Sequence, residues 1–371
     1  MAAVRVVIVS NLDSDQPFGQ FLRPYHLGRA LANTGAEVAH VGVDCARVDY
    51  GPAWSVGAKS LVALSRALGR AIGELRPQVV YAHELRGGLA GLAGRRGLPL
   101  ACDFHSLPSV EWFGYSRTVT GATWALNVAQ GARAHLAERA LAARAGLLVA
   151  ASDGVAAELS ARYRPPRQPL VIPNGVTETL LEAPLRESRS PYGDGAGTHA
   201  VAVVPGEQTD ANLRALDFLA RSALALEQEQ DPPSLHVVGS TEGPAARLLR
   251  YEGFQEDLLP WLEHADACLL PYPADAALCG GARNKLLEAL ARGRRLVTTR
   301  EGLRGVEEAG SWEGVEVAAD DPPGFAAALV RATGAGAPTL DERRSSLRRR
   351  LRWDARAEEL ADALGALARA G

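Results

Sequence analysis

The sequence predicts an α/β protein of two domains, each built on a parallel sheet with helices on both faces. Three observations carry this. The chain has 371 residues, too many for one ordinary core and suited to two. Short apolar runs alternate with amphipathic helical stretches through nearly all of it, the pattern of repeated βα units. One aperiodic segment, Glu182–His199, rich in Pro, Gly, Ser and charge, interrupts the alternation before it restarts.

In the first half, strands are expected at Val4–Val9, Glu37–Val43, Val79–Ala82, Leu98–Phe104, Leu147–Ala151 and Leu170–Ile172. Leu61, Leu64, Leu68, Ile72 and Leu75 recur at helical spacing and give one apolar face, and Leu27, Ala30 and Leu31 begin a similar stripe. Ser152 or Asp153 can cap a helix running toward Tyr163. Pro173-Asn174-Gly175 is a turn signal that closes this half. In the second half, strands are expected at Ala200–Val204, Leu235–Val238, Ala267–Leu270, Leu296–Thr298 and Val315–Ala318. Helices fall between them at Asp210–Leu226, Leu258–His264, Asn284–Arg292 and Phe325–Thr333. A last helical stretch from about Leu340 to Ala370 carries no glycine or proline before Gly365. The expected division is an N-terminal domain over 1–175, a second domain over 176–345 and a C-terminal helix over 346–371.

Composition narrows the function classes. The formal net charge is −3, so no global field favours nucleic acid or an anionic membrane. The arginines between Arg343 and Arg352 suggest peripheral membrane contact, but Asp341, Glu342, Asp354, Glu358 and Glu359 lie among them and favour a solvated face. Leu136–Ala151 is apolar yet broken by Glu138, Arg139 and Arg144, so it does not span a bilayer. The run after Met1 is too short for a signal peptide and ends in Ser10-Asn11 without a cleavage pattern. Cys45, Cys102, Cys268 and Cys279 are scattered, as buried reduced thiols would be. A cytoplasmic location is expected. Arginine supplies nearly all the positive charge, and Lys59 and Lys285 are the only lysines.

The turn after the first strand holds the single glycine Gly19, so the nicotinamide-type glycine fingerprint is absent. Asp13-Ser14-Asp15 offers two carboxylates to a divalent metal, but such residues crowd loops for turn reasons alone, and no metal site is expected. The informative stretch is Tyr272–Arg304. A strand ending in Pro271 opens into a loop containing Gly280, Gly281 and Arg283, which feeds a helix beginning near Asn284-Lys285. A glycine-rich loop entering a helix presents free backbone N–H groups and positive dipole to an anion. Lys285 and Arg283 add charge there, and Glu288 follows on the face of Lys285, placed to accept bonds from ribose hydroxyls. The same Lys285, Glu288 and Arg292 spacing also suits an ordinary exposed ion-pair ladder.

Several motifs in order then resemble a known family. These are Gly146-Leu-Leu-Val-Ala-Ala-Ser152, Val171-Ile-Pro-Asn-Gly-Val176, Leu235-His-Val-Val-Gly239, Tyr251-Glu-Gly-Phe254, Ala265-Asp-Ala-Cys-Leu-Leu-Pro271, the Lys285–Gly293 helix and Gly302-Leu-Arg-Gly-Val306. Together they resemble the retaining glycosyltransferases of the GT-B fold, group 1 or family four, in which two Rossmann-like domains face each other across a cleft. The resemblance implies a nucleoside diphosphate sugar, with UDP or GDP foremost, bound in the C-terminal domain without a metal or other cofactor. It implies Glu288 for the ribose, and Gly280, Gly281, Arg283, Asn284 and Lys285 for the diphosphate and sugar. Gly206 matches the glycine ending the first C-domain strand. Phe18 and Gly19 match the first-loop position on the acceptor side, and His105 matches a histidine reaching the donor sugar. Gly280 stands where such chains commonly carry a first glutamate, and Glu207 and Asn212 stand near the usual basic pair, leaving Arg214, Arg283 and Lys285 as replacements. The implied reaction is transfer of a hexose-like group, with retention, to a small-molecule or glycan acceptor. A non-catalytic subunit of this fold and a sugar-nucleotide epimerase remain as alternatives. Weak nucleotide binding beside an active partner would mark the first, and isomerisation of a sugar nucleotide alone the second.

Overall fold

The computed structural model describes residues 3–13, 22–117, 119–182, 189–193, 197–204, 210–276, 283–292, 294–334, 347 and 351–371. They form two compact units. One comprises residues 1–175 with 352–371, the other the greater part of 176–351.

In the first unit, seven parallel strands lie in the order β3-β2-β1-β4-β5-β6-β7. They are β1 (Arg5–Val9), β2 (Glu37–Gly42), β3 (Ala53–Ser55), β4 (Val79–His83), β5 (Leu100–Phe104), β6 (Leu147–Ala150) and β7 (Leu170–Val171). Side chains alternate across the sheet. Val7 and Val9 of β1 face a core with α2 (Leu61–Leu75), α3 (Glu84–Gly94), α5 (Gly121–Arg144) and α6 (Asp153–Tyr163). Val6 and Ile8 face the other core with α1 (Leu22–Asn33). α4 (Pro108–Ser116) packs along α5. Ser60 caps α2 by accepting from Ala63 N–H, and Ser152 caps α6 by accepting from Val155 N–H.

In the second unit, six parallel strands lie in the order β10-β9-β8-β11-β12-β13. They are β8 (His199–Val203), β9 (Ser234–Val238), β10 (Leu249–Gly253), β11 (Ala267–Leu270), β12 (Arg295–Thr298) and β13 (Val315–Val317). One face packs on α8 (Asp210–Leu226) and α11 (Pro322–Thr333) through Phe218, Leu219, Phe325 and Leu329. The other packs on α9 (Leu259–His264) and α10 (Asn284–Ala291) through Trp261, Leu286, Leu287 and Leu290. α7 (Glu178–Glu182) lies beside α10.

Both sheets reverse direction of growth once, between β1 and β4 in the first unit and between β8 and β11 in the second. In doubly wound sheets ligands bind outside the carboxyl ends of the strands at this point.

The long C-terminal helix is corrected by the structure. Its described part is α12 (Ala357–Ala370), and the chain turns over Leu351–Arg356 before it. Trp353 is buried there, its ring stacked on His26, while its backbone passes so close to Gly175 that a side chain at 175 would collide with it. This packing outweighs the helical propensity of a stretch without glycine or proline. α12 then buries Leu360 and Leu364 against β1 and β4 of the first unit. β3, β10, α3, α4 and α5 are additions to the sequence expectation.

Candidate functional site

In the second unit, the chemistry gathers at the ends of β8, β11 and β12. α10 begins after Arg283, whose side chain makes no capping bond to it. Asn284 places Oδ1 at this helix start, buried and without a hydrogen-bond partner. Lys285 Nζ donates to the Val203 carbonyl at 3.0 Å, which draws the ammonium over the end of β8. Glu288 is mostly buried one turn on; burial raises its carboxyl pKa and Lys285 opposes the rise. The ladder with Arg292 does not form, because Arg292 is fully buried and pairs with Glu263 while donating to the Leu180 carbonyl at 3.3 Å.

Arg283 has other work. Its guanidinium donates to the carbonyls of Glu301 and Gly302 at 2.6 and 3.1 Å. It lies 4.1 Å over the Tyr272 ring and 3.6 Å from the Glu301 carboxylate. It thus ties the loop after β11 to the loop after β12. Thr299 strengthens this tie by donating to the Tyr272 carbonyl. Arg214 pairs with Asp275 at the rim of the same loop. Gly206, Gly280 and Gly281 lie outside the described residues, as do Phe18 and Gly19 of the first unit.

In the first unit, a pocket at the ends of β1, β4 and β5 is lined by Ser10, Asn11, Leu12, Pro24, His83, Glu84 and His105. Next to the lining residue Pro24, Arg23 makes a buried ion pair, donating to both Asp103 oxygens at 2.9 and 3.0 Å. Tyr81 also donates to Asp103, and Arg23 reaches Asn174 Oδ1 at 3.2 Å. Burial alone would raise the Asp103 pKa, but Arg23, His83 and His105 draw it down to about 2. His105 has Nδ1 2.9 Å from a Glu84 carboxylate oxygen and Nε2 3.3 Å from His83 Nδ1. Burial holds the His83 pKa well below the ordinary imidazole range.

His83, Asp103 and His105 offer atoms within 4.8 Å of one another, a possible divalent-metal set. The set does not suit a cation, because the Arg23 fork and Tyr81 occupy Asp103 and the guanidinium charge repels one. Asp13 lies 3.7 Å from Lys59, while Ser14 and Asp15 fall outside the described residues. The described cysteines, Cys45, Cys102 and Cys268, are buried thiols, none of them in a disulfide.

The structure therefore brings Asn284, Lys285 and Glu288 together in the second unit; His105 belongs to the first. His83 and Glu84 went unnoticed in the sequence. The usable signal was that Val-Val-Tyr-Ala and Ala-Cys-Asp-Phe are both followed by histidine, so β4 and β5 end alike.

Two family models match the chain. Residues 2–175 match the glycosyl transferase 4-like domain, and residues 200–334 match glycosyl transferases group 1. No curated protein matches in sequence. Among solved structures, sucrose-phosphate synthase from Thermosynechococcus elongatus aligns over 100% of both chains with TM-score 0.73 and 17% identity. A glycosyltransferase from Rickettsia africae aligns over 99% of both with TM-score 0.66 and 10% identity. The Anabaena protein HepE, in complex with UDP and glucose, aligns over 98% of this chain and 100% of its own, with TM-score 0.61 and 14% identity.

Proposed function

Since the chain belongs to the group 1 glycosyltransferases, sugar-transferring enzymes of the GT-B fold, we propose that it moves a hexose-like group from a nucleoside diphosphate sugar to a small-molecule or glycan acceptor. In this reading the donor carries UDP or GDP, the anomeric configuration is retained, no metal takes part, and the enzyme works in the cytoplasm. No helix among the described residues is long and apolar enough to cross a membrane. The HepE complex with UDP and glucose supports UDP as the first base to test.

One observation carries the reading: an uncapped helix start, a partnerless buried Asn284 oxygen, Lys285 and Glu288 meet at the switch point of the second sheet. Breaking the sugar–phosphate bond leaves negative charge growing on the diphosphate. The N–H groups of α10 and the Lys285 ammonium are fixed in place and stabilise that charge more in the transition state than in the ground state. Glu288 accepts from the ribose hydroxyls, and Asn284 from a donor N–H or O–H. Arg283 acts on the diphosphate through the loops it braces, with Gly280 and Gly281 in one of them; Gly206 and Arg214 border the donor. His105, with Phe18 and Gly19, serves the sugar and acceptor side.

A thermal-shift screen with UDP, GDP, ADP and dTDP tests this, because a ligand that binds the native state raises its melting point, by about 2.7 kcal/mol of stability at a hundredfold excess over Kd. One base should stabilise the parent, and Lys285→Ala and Glu288→Ala should respond less. If no nucleotide acts, or both variants respond as the parent does, the donor site is wrongly placed. Retention is tested separately, by the anomeric coupling constants of the product.

A further inference from the structure

β4 passes into α3 through a sharp turn at Glu84. Its φ is 58°, in the left-handed region, which costs a non-glycine residue roughly 1–3 kcal/mol. Gly87 and Gly88 follow, and a side chain at either would collide with Val9 or Leu141, so the glycines let α3 lie close over the sheet. The turn carries the Glu84 carboxylate to 2.9 Å from His105 Nδ1. The two atoms are close but not aligned as a hydrogen bond, a looseness common in catalytic sites until substrate binds. Beyond His105, the chain of contacts continues from Nε2 to His83 Nδ1 at 3.3 Å. It ends at His83 Nε2, which is buried and has no hydrogen-bond partner. Asn11 Oδ1 is likewise buried and unpartnered, and both residues line the one pocket.

We propose that Glu84 sets the proton order of a His105–His83 relay, so that His83 Nε2 is an unprotonated acceptor for a hydroxyl of the bound sugar or acceptor. A carboxylate only accepts, so the His105 proton sits on Nδ1 and its Nε2 becomes an acceptor. Neutral His83 has one ring proton, which then belongs on Nδ1, facing His105. His83 Nε2 is left bare beside Asn11 Oδ1, and two neighbouring acceptors match the O–H donors of a polyol. Asp103 Oδ1, 3.5 Å from His105 Nε2, is the rival acceptor, but Arg23 and Tyr81 already occupy its oxygens. From α4, Glu111 interacts electrostatically with Glu84, and burial raises its own carboxyl to about 7. Glu84 is thus a positioning residue for His83 and His105. The inference rests on the proposal that this pocket takes the sugar or acceptor, but its test does not.

The full chain is labelled with ¹⁵N-histidine, its ring resonances are assigned with His83→Gln and His105→Gln, and long-range ¹H–¹⁵N spectra are read at pH 8. The expected result is a protonated Nδ1 on both rings, with His83 Nε2 unprotonated. Glu84→Gln, which keeps an acceptor oxygen, preserves this order. Glu84→Met, which has no such acceptor, reverses it on His105. Glu84→Gly relieves the backbone and melts no lower than the parent, yet shows the Glu84→Met tautomer. A His105 proton on Nε2 in the parent, or identical tautomers in parent and Glu84→Met, overturns the proposal. A nucleotide screen that fails while the expected tautomers are present refutes the donor reading and leaves the relay standing.

Discussion

Replacing Arg283 with alanine separates bracing from ligand contact. The side chain is 14% exposed and ties two loops through two carbonyls, one carboxylate and one ring. Its loss strips the Glu301 and Gly302 carbonyls of a donor, about 1–3 kcal/mol for each one left unsatisfied. It also removes a desolvated cation–π contact of about 2 kcal/mol. Relaxation and water entry offset part of this, and Glu301 keeps Arg304 on its other oxygen at 2.6 Å. Breaking a buried charge pair by deleting one partner costs about 3–5 kcal/mol, and we take that range. In urea, with a slope of about 1–3 kcal/mol/M, the midpoint of the second unit falls by at least about 1 M. The assay is urea unfolding of the full chain, followed by near-ultraviolet circular dichroism, beside calorimetric titration with UDP. Nucleotide affinity should drop along with the loops. An Arg283→Ala protein that unfolds at the parental urea concentration while losing UDP affinity would refute the bracing role and return the guanidinium to direct ligand contact.

Other outcomes follow from the same contacts. Lys285→Ala should lower kcat by about 10²–10³, the effect of removing one fixed transition-state donor (about 2.7–4 kcal/mol), with a smaller change in KM; steady-state kinetics with the donor found by screening checks it. Asp103→Asn should destabilise the first unit by about 3–5 kcal/mol, because it leaves Arg23 buried and unpaired. Asp103 titrates at about 2 when folded against 3.8 ordinarily, so its contribution of about 2 kcal/mol is present above pH 4 and disappears as the pH falls through 2; acid unfolding of parent and variant reads this. Glu111 runs the opposite way. Burial, with the charges of Glu84 and Glu138, raises its carboxyl to about 7 from 4.5, although Ser106 opposes the rise. The folded chain keeps this proton where the unfolded chain has released it, so stability is highest below pH 4.5 and declines as the pH rises through 7. Glu111→Gln should therefore be the more stable protein at pH 8, by up to about 3 kcal/mol, and no different at pH 4 by thermal melting.

The sheets were legible because buried parallel strands are continuous apolar runs, and Val4–Val9 or Ala267–Leu270 could be little else. β10 was not, since Leu249–Gly253 is a partly exposed edge strand with Arg250 and Glu252 in it. α3 was hidden by Gly87, Gly88, Gly91 and Gly94, which weaken helix propensity but let the helix lie close on β1, β4, β5 and α2. In the candidate site, Lys285 and Glu288 were readable because both lie on one short helix after a glycine-rich loop. The Arg283 contacts were not, because Glu301 and Gly302 are distant in sequence and meet it only through the pairing of β11 with β12. The His83–Glu84–His105 cluster was silent for the same reason: β4 and β5 must pair before their two histidines become neighbours.

The account stands most directly on where a nucleotide's phosphates lie. A crystal structure of the UDP complex should show them at the start of α10, within hydrogen-bond distance of Lys285 Nζ and its backbone N–H groups, with the ribose on Glu288. Phosphates seated elsewhere, with the start of α10 closed over by its own side chains, would contradict it.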